Sequence, residues 1–205
     1  LLLSCLLFSF LRRPRLPGSN LFPYWLLCRS DVSASALKIV AGGQGTLKNL
    51  PFGTGEFGYY EPICGGAGAG PGFDGASAVH THMTNTRITD PEVLERRYPV
   101  VLREFSIRKG SGGAGDFRGG NGVVRRMEFL EPMEVGILSE RRGTRPYGIG
   151  GAEEGDSGRN WHRSGVKEVE LPGHARIGVV PGDEICIETP GGGGYSSAGG
   201  GELRE

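Results

Sequence analysis

The chain predicts an α+β fold that is mainly β, with glycine-rich turns and one short helix near residues 91–98. Three observations predict it. Glycine supplies 38 of the 205 residues, far above its usual share of about seven per cent, and no three-residue period orders the glycines as collagen would. Between them lie short runs that alternate apolar and polar positions, the period of a half-buried strand. One stretch carries a helix start: in Asp90-Pro91-Glu92 an acid caps, proline takes the first helical position and glutamate faces the positive end of the dipole.

Taken in order, residues 1–35 read as an atypical apolar and basic segment outside the domain. Leu1 to Leu11 is too short to span a bilayer. Arg12, Arg13 and Arg15 follow the apolar run instead of preceding it, so it is not expected to be a secretory signal. The lack of an initiator methionine points to an incomplete chain, and the segment is expected to be poorly ordered. The domain is placed at 36–196. A short helix or strand is expected before Gly42-Gly43, and Phe57, Tyr59 and Tyr60 fit a strand by propensity. Ser77 to Met83 is expected to alternate as a strand, with Ala78, His80 and His82 on one face.

The helix from Pro91 presents Val93, Leu94 and Tyr98 as its apolar face, and Pro99 stops it. Further strands are expected at 100–108, where Phe105 and Ile107 lie opposite Ser106 and Arg108, and at 123–129, where Met127 and Phe129 face inward. Others follow at 133–139, 168–171, 175–180 and, after the turn Pro181-Gly182-Asp183, at 184–189. The run Gly191 to Gly194 is expected to pack its backbone against the glycine-rich loop at 65–75. Residues 197–205 are expected to form a disordered tail.

The formal net charge of +0 argues against electrostatic capture of nucleic acid or an anionic membrane. Cys5, Cys28, Cys64 and Cys186 show no CxxC spacing, so neither a zinc knuckle nor a disulfide framework is indicated. Few, scattered cysteines suit a reducing cytosol, and Cys64 reads as a buried thiol.

Chemistry concentrates between 59 and 99. The glycine loop lacks the Gly-Lys-Ser/Thr ending of a P-loop; it serves either as a tight connection or as backbone brought close to a ligand. His80 and His82 can converge on one metal ion or one substrate, or one packs while the other stays exposed. Two histidines do not complete a metal site. Asp90 is a cap or a catalytic acid. Asn85 and Thr86 have no local task beyond a turn and are available to a substrate. Arg118, Arg141, Arg142 and Arg145 can fork onto a carboxylate or phosphate, or bridge loop carbonyls; Arg142 is singled out.

The blocks GGAGAGP at 65–71, VHTHMTNTRITDPEVLERRYPV at 79–100, SGGAGDFRGGNGVVRR at 111–126, SERRGTRPYG at 139–148 and TPGGGGY at 189–195 together resemble the hydantoinase B/oxoprolinase family, most closely the carboxyl-terminal part of the 5-oxoprolinases. The resemblance implies an incomplete hydantoinase-B domain. It implies ATP-dependent hydrolysis of 5-oxo-L-proline to L-glutamate, a step of glutathione metabolism, with ATP and Mg on a hydantoinase-A domain that this chain lacks. Catalytic roles fall by resemblance to His80, His82, Asn85, Asp90 and Arg142, and substrate binding to Gly66, Gly68, Gly70 and Thr86. A divalent metal would rest on His80 and His82. The partners implied are the rest of the oxoprolinase chain and a second copy in a homo-oligomer. The family usually has methionine and asparagine where Leu47 and Lys48 stand. With no nucleotide motif, the chain alone is expected to be inactive. The alternatives are a noncatalytic interaction module, or a subunit of a hydantoinase or ketone carboxylase.

Overall fold

The structure, a computed structural model, describes residues 33–34, 36–45, 48–81 and 86–197. The expectations for residues 1–32, for His82 and Asn85, and for 198–205 lie outside the described residues. In chain order the elements are β1 Lys48–Gly53, β2 Gly58–Pro62, α1 Pro91–Arg97, β3 Val100–Arg108, β4 Gly122–Phe129, β5 Met133–Ser139, β6 Arg159–Ser164, β7 Lys167–Leu171, β8 His174–Val179 and β9 Glu184–Glu188. They build two antiparallel sheets, ordered β2-β1-β5-β8 and β3-β4-β9-β6-β7. The fold is thus mainly β, as the alternation predicts. No helix among the described residues is long and apolar enough to cross a membrane.

The core lies between the two sheets. Leu50 and Phe52 of β1, Met133, Val135 and Ile137 of β5 and Val179 of β8 meet Val123, Met127 and Phe129 of β4 and Ile185 and Ile187 of β9. Every second residue of β4 is buried, so Arg125 falls on the inner face with Val123 and Met127. It is 1% exposed. Its charge is met there by Glu61 of β2, through Nε at 2.5 Å and Nη2 at 2.9 Å. A buried pair of this kind contributes little net stability, yet leaving either partner alone costs about 3–5 kcal/mol. The Tyr59 hydroxyl donates to Glu61 at 2.7 Å and lies 2.8 Å from the Thr89 hydroxyl. This polar line ties the chain just before α1 to the sandwich core.

In α1 the Asp90 carboxylate accepts from the Glu92 N–H at 3.0 Å, and the helix ends at Tyr98, whose N–H reaches the Leu94 carbonyl. Leu94 is fully buried, whereas Val93 is 41% exposed. The expected apolar face therefore narrows to Leu94 and Tyr98, four residues apart and one above the other. Tyr98 joins Phe52, Phe57 and Tyr59 in an aromatic cluster with ring centroids 4.8–5.9 Å apart.

Phe105 and Ile107 lie on one side of β3 as expected, whereas the strand expected at 77–83 is corrected. Phe105 and Ile107 share the inner side of β3 but stay 42% and 48% exposed, because β3 is an edge strand whose register shifts between Leu102 and Glu104. Phe105 instead caps the margin of the core, its ring centroid 5.2 Å from the Arg125 guanidinium carbon. The stretch 77–83 is no regular strand over its described part. Ala78 takes φ +54°, which breaks the alternation, and a single bridge joins Val79 to Gly65. The shared face expected of Ala78 and His80 is therefore not set by strand geometry, and His82 lies outside the described residues.

Beside the sandwich the glycine-rich segments pack into a bundle of extended backbone. Its hub is Gly191 to Gly194, whose four N–H groups donate to Asp156, Gly120, Gly42 and Glu153 at 2.8–3.2 Å. A Cβ on these glycines would run into the carbonyls of Ser111, Ala67, Tyr147 and Ala114 in turn. Successive residues thus face different neighbours, which only a chain without side chains allows. The tight packing expected of this run against the 65–75 loop is present.

Candidate active site

The described part of the site is built on the bundle and the first strand. Ala41 donates to Ala69 and Gln44 to Gly66, both through backbone N–H groups, so the run 41–45 lies along the glycine loop. Gly65 and Val79 exchange both backbone hydrogen bonds, at 2.9 and 3.1 Å, which brings the histidine segment alongside the same loop. Gln44, 2% exposed, joins the two. Its Nε2 donates to the Val79 carbonyl at 2.7 Å and to Thr81 Oγ1 at 3.3 Å, on either side of His80.

Beneath this junction sits Lys48, the first residue of β1, only 2% exposed. Its Nζ donates to the Gln44 and Gly45 carbonyls at 3.2 and 3.1 Å. Burial lowers the ammonium pKa well below its ordinary value; the Arg142 guanidinium pushes the same way and Glu140 opposes it. Burial also lowers the His80 pKa, with Lys48 adding to the effect. The imidazole is thereby held toward its neutral form, the form a general base needs. Burial raises the Cys64 thiol, which makes it an inert packing group, not a thiolate.

Arg142 is half-buried, its pKa lowered to about 10 by burial and then by the nearby Arg108. Its Nε and Nη2 donate to Asn160 Oδ1 at 3.1 and 2.7 Å and its Nη1 to the Glu140 carbonyl at 2.8 Å. The fork is engaged within the chain. Arg141 likewise reaches the Arg145 carbonyl at 3.2 Å, the loop-bridging alternative of the sequence reading.

The structure thus brings His80 together with Gln44, Thr81 and Lys48, and sets Arg142 within electrostatic reach of Lys48. Of the other described candidates, the glycine loop borders that group through Gly66, whose carbonyl accepts from the Gln44 N–H. Asp90 and Thr86 are exposed, and the Asp90 carboxylate is taken by the cap. The N–H groups of Gly66 and Gly70 are donated to the Pro190 and Phe73 carbonyls at 3.0 and 3.2 Å, and a Cβ on Gly68 would meet the Ala41 carbonyl. The contribution of this loop that the structure displays is close packing. Among the described residues no three His, Cys, Asp or Glu side chains gather as a metal would require, so the ligands present around His80 do not by themselves fit a metal ion.

Gln44 and Lys48 escaped sequence reasoning. The signal that was available is the charged side chain at the head of Lys48-Asn49-Leu50-Pro51-Phe52, where alternation places Lys48 on the same side as Leu50 and Phe52.

The family description Hydantoinase B/oxoprolinase matches residues 26–198. The chain is 49% identical over 167 residues to a 5-oxoprolinase of Dictyostelium discoideum, covering 81% of this chain and 13% of that protein. It is 48% identical over 169 residues to 5-oxoprolinase 1 of Arabidopsis thaliana, covering 82% of this chain and 13% of the relative. The chain therefore spans about an eighth of the length of these relatives. Among solved structures, ATP-dependent caprolactamase from Pseudomonas jessenii shares the fold, with TM-score 0.65 and 22% identity over 80% of this chain and 31% of that one. The chain belongs to the hydantoinase B/oxoprolinase family.

Proposed function

We propose that this chain is the carboxyl-terminal segment of an ATP-dependent 5-oxoprolinase, which opens the lactam of 5-oxo-L-proline to give L-glutamate. The observation that carries the reading is the 48–49% identity to two proteins named 5-oxoprolinase, in organisms as distant as an amoeba and a plant.

An unstrained lactam is a poor electrophile. ATP, held with Mg on a hydantoinase-A domain elsewhere in the protein, would supply activation by phosphorylating the carbonyl oxygen. The residues of this segment then handle water and charge. His80, held neutral by its burial, accepts a proton from the attacking water. His82, Asn85 and Thr86 follow it in sequence and offer polar groups to the ring and to the developing negative charge. Arg142 supplies positive potential from behind the site, and Lys48 adds to it while it holds its proton. Asp90 acts through the helix cap, and Gly66, Gly68 and Gly70 act by holding the histidine segment in place. A divalent metal on His80 and His82 would need further ligands from outside the described residues. By this reading the isolated chain is inactive, the complete protein forms a homo-oligomer, and it works in the cytosol.

The test replaces His80 and His82 by alanine in the full-length protein and measures glutamate formation alongside ATP binding. Loss of product with ATP binding retained is expected; unchanged turnover overturns the assignment. A second reading rests on 34% identity over 141 residues to the caprolactamase subunit beta of Pseudomonas jessenii, covering 65% of this chain and 24% of that protein. Turnover of caprolactam but not of 5-oxoproline would favour it.

A further inference from the structure

We propose that Gln44 is a positioning residue for His80, a clamp whose carboxamide holds the Val79 carbonyl on one side of the imidazole and the Thr81 hydroxyl on the other. The inference rests on the reading of His80 as the reacting group and adds a residue that motif and composition do not point to. Gln44 is held at three places. Its backbone N–H donates to the Gly66 carbonyl at 3.0 Å, its carbonyl accepts from Lys48 Nζ at 3.2 Å, and its Nε2 donates to Val79 O and Thr81 Oγ1.

The amide orientation is determined by these partners. Turned over, its oxygen would face the Val79 carbonyl, and two acceptors would oppose each other. As placed, Oε1 is buried with no hydrogen-bond partner and lies against Gly65, where a Cβ would collide with it. An unpaired buried carbonyl costs about 1–3 kcal/mol. The geometry tolerates that cost to hold two donors on the histidine segment. The fixed end of the clamp is the glycine bundle, which explains why a rigid, side-chain-free scaffold stands beside a catalytic histidine.

In the full-length protein, Gln44→Met keeps the bulk and removes both donors. The expected result is a fall in kcat of about a hundredfold, the scale of a misplacement near 1 Å, with KM for 5-oxoproline unchanged. Thr81→Val removes only the longer bond and should lower kcat less, in the same direction, should Gln44→Met fail to fold. Val135→Ala, in the sandwich core, serves as a control for general loss of stability and should leave kcat alone. A second readout needs no turnover. In the 205-residue chain the His80 ring proton and carbon resonances should shift in Gln44→Met and Thr81→Val but not in Val135→Ala. Resonances that move no more than in Val135→Ala overturn the clamp, whatever the kinetics. Resonances that shift while both Gln44→Met and His80→Ala retain turnover overturn the catalytic reading and leave Gln44 as a structural contact.

Discussion

Lys48 is a cation placed where water is absent, and it has a pH signature of its own. The unfolded chain holds its proton up to an ordinary lysine pKa of about 10.4, while the folded chain releases it earlier because burial disfavours the charge. Between the two values the unfolded state binds more protons, so the contribution of Lys48 to stability rises with pH across that window. Lys48→Met removes the group from both states. Denaturant unfolding between pH 7 and 10 should show wild-type stability gaining on that of Lys48→Met as pH increases. Parallel curves for the two proteins would mean that Lys48 keeps its proton when folded. The comparison isolates Lys48 from Cys64 and Cys186, whose thiol pKa values burial raises and which therefore work in the opposite direction. At this scale the sequence was least informative. Gln44 and Lys48 belong to no recognisable constellation, because what makes them important is burial beside a segment some 35 residues away, and burial of a polar side chain is set by tertiary packing. His80, in contrast, enters as a candidate from the motif that contains it.

At the scale of elements, local signals performed well wherever one face of a strand meets the core. β4, β5 and β9 alternate as written because Val123, Met127, Met133, Val135, Ile185 and Ile187 all point inward. They failed where the inward face is polar or the edge is uncovered. β6 places Asn160 inward, hydrogen-bonded through its side chain to Arg142, Ser139 and the Pro172 carbonyl, and no hydrophobic period betrays it. The start of α1 was readable because capping is a local interaction, and it separates two roles for one carboxylate. Asparagine caps as well as aspartate, whereas alanine forfeits about 1 kcal/mol. Asp90→Asn in the full-length protein should therefore keep both stability and turnover, and Asp90→Ala should lose stability by about that amount. A collapse of turnover in Asp90→Asn with the melting temperature intact would make Asp90 a catalytic acid after all.

The whole molecule is held by an arrangement that neither strand periodicity nor helix signals describe. The glycine bundle draws residues 41–44, 65–79, 111–121, 146–156 and 190–195 to one place, so contacts at the site join the two ends of the described chain. Residues 190–194 alone donate to Gly42, Gly120, Glu153 and Asp156 and accept from Gly66, Ala69, Gly113 and Ile149. With each such bond worth about 0.5–1.5 kcal/mol net, the set represents roughly 4–12 kcal/mol, comparable to the entire stability of an ordinary domain, about 5–15 kcal/mol. The run is thus a keystone for the segment that carries His80, not a loose end after β9. A chain terminated after Thr189 keeps every strand of both sheets. It should nevertheless lose the cooperative thermal transition and the near-ultraviolet circular dichroism of its packed aromatic groups, and amide exchange at Gly65, Ala67 and Val79 should become unprotected. Were the truncated chain to melt cooperatively within about 4 °C of the intact one, the scale of a 1 kcal/mol change, the sandwich would have to be stable without the bundle. His80 would then be held by β1 and Gln44 alone.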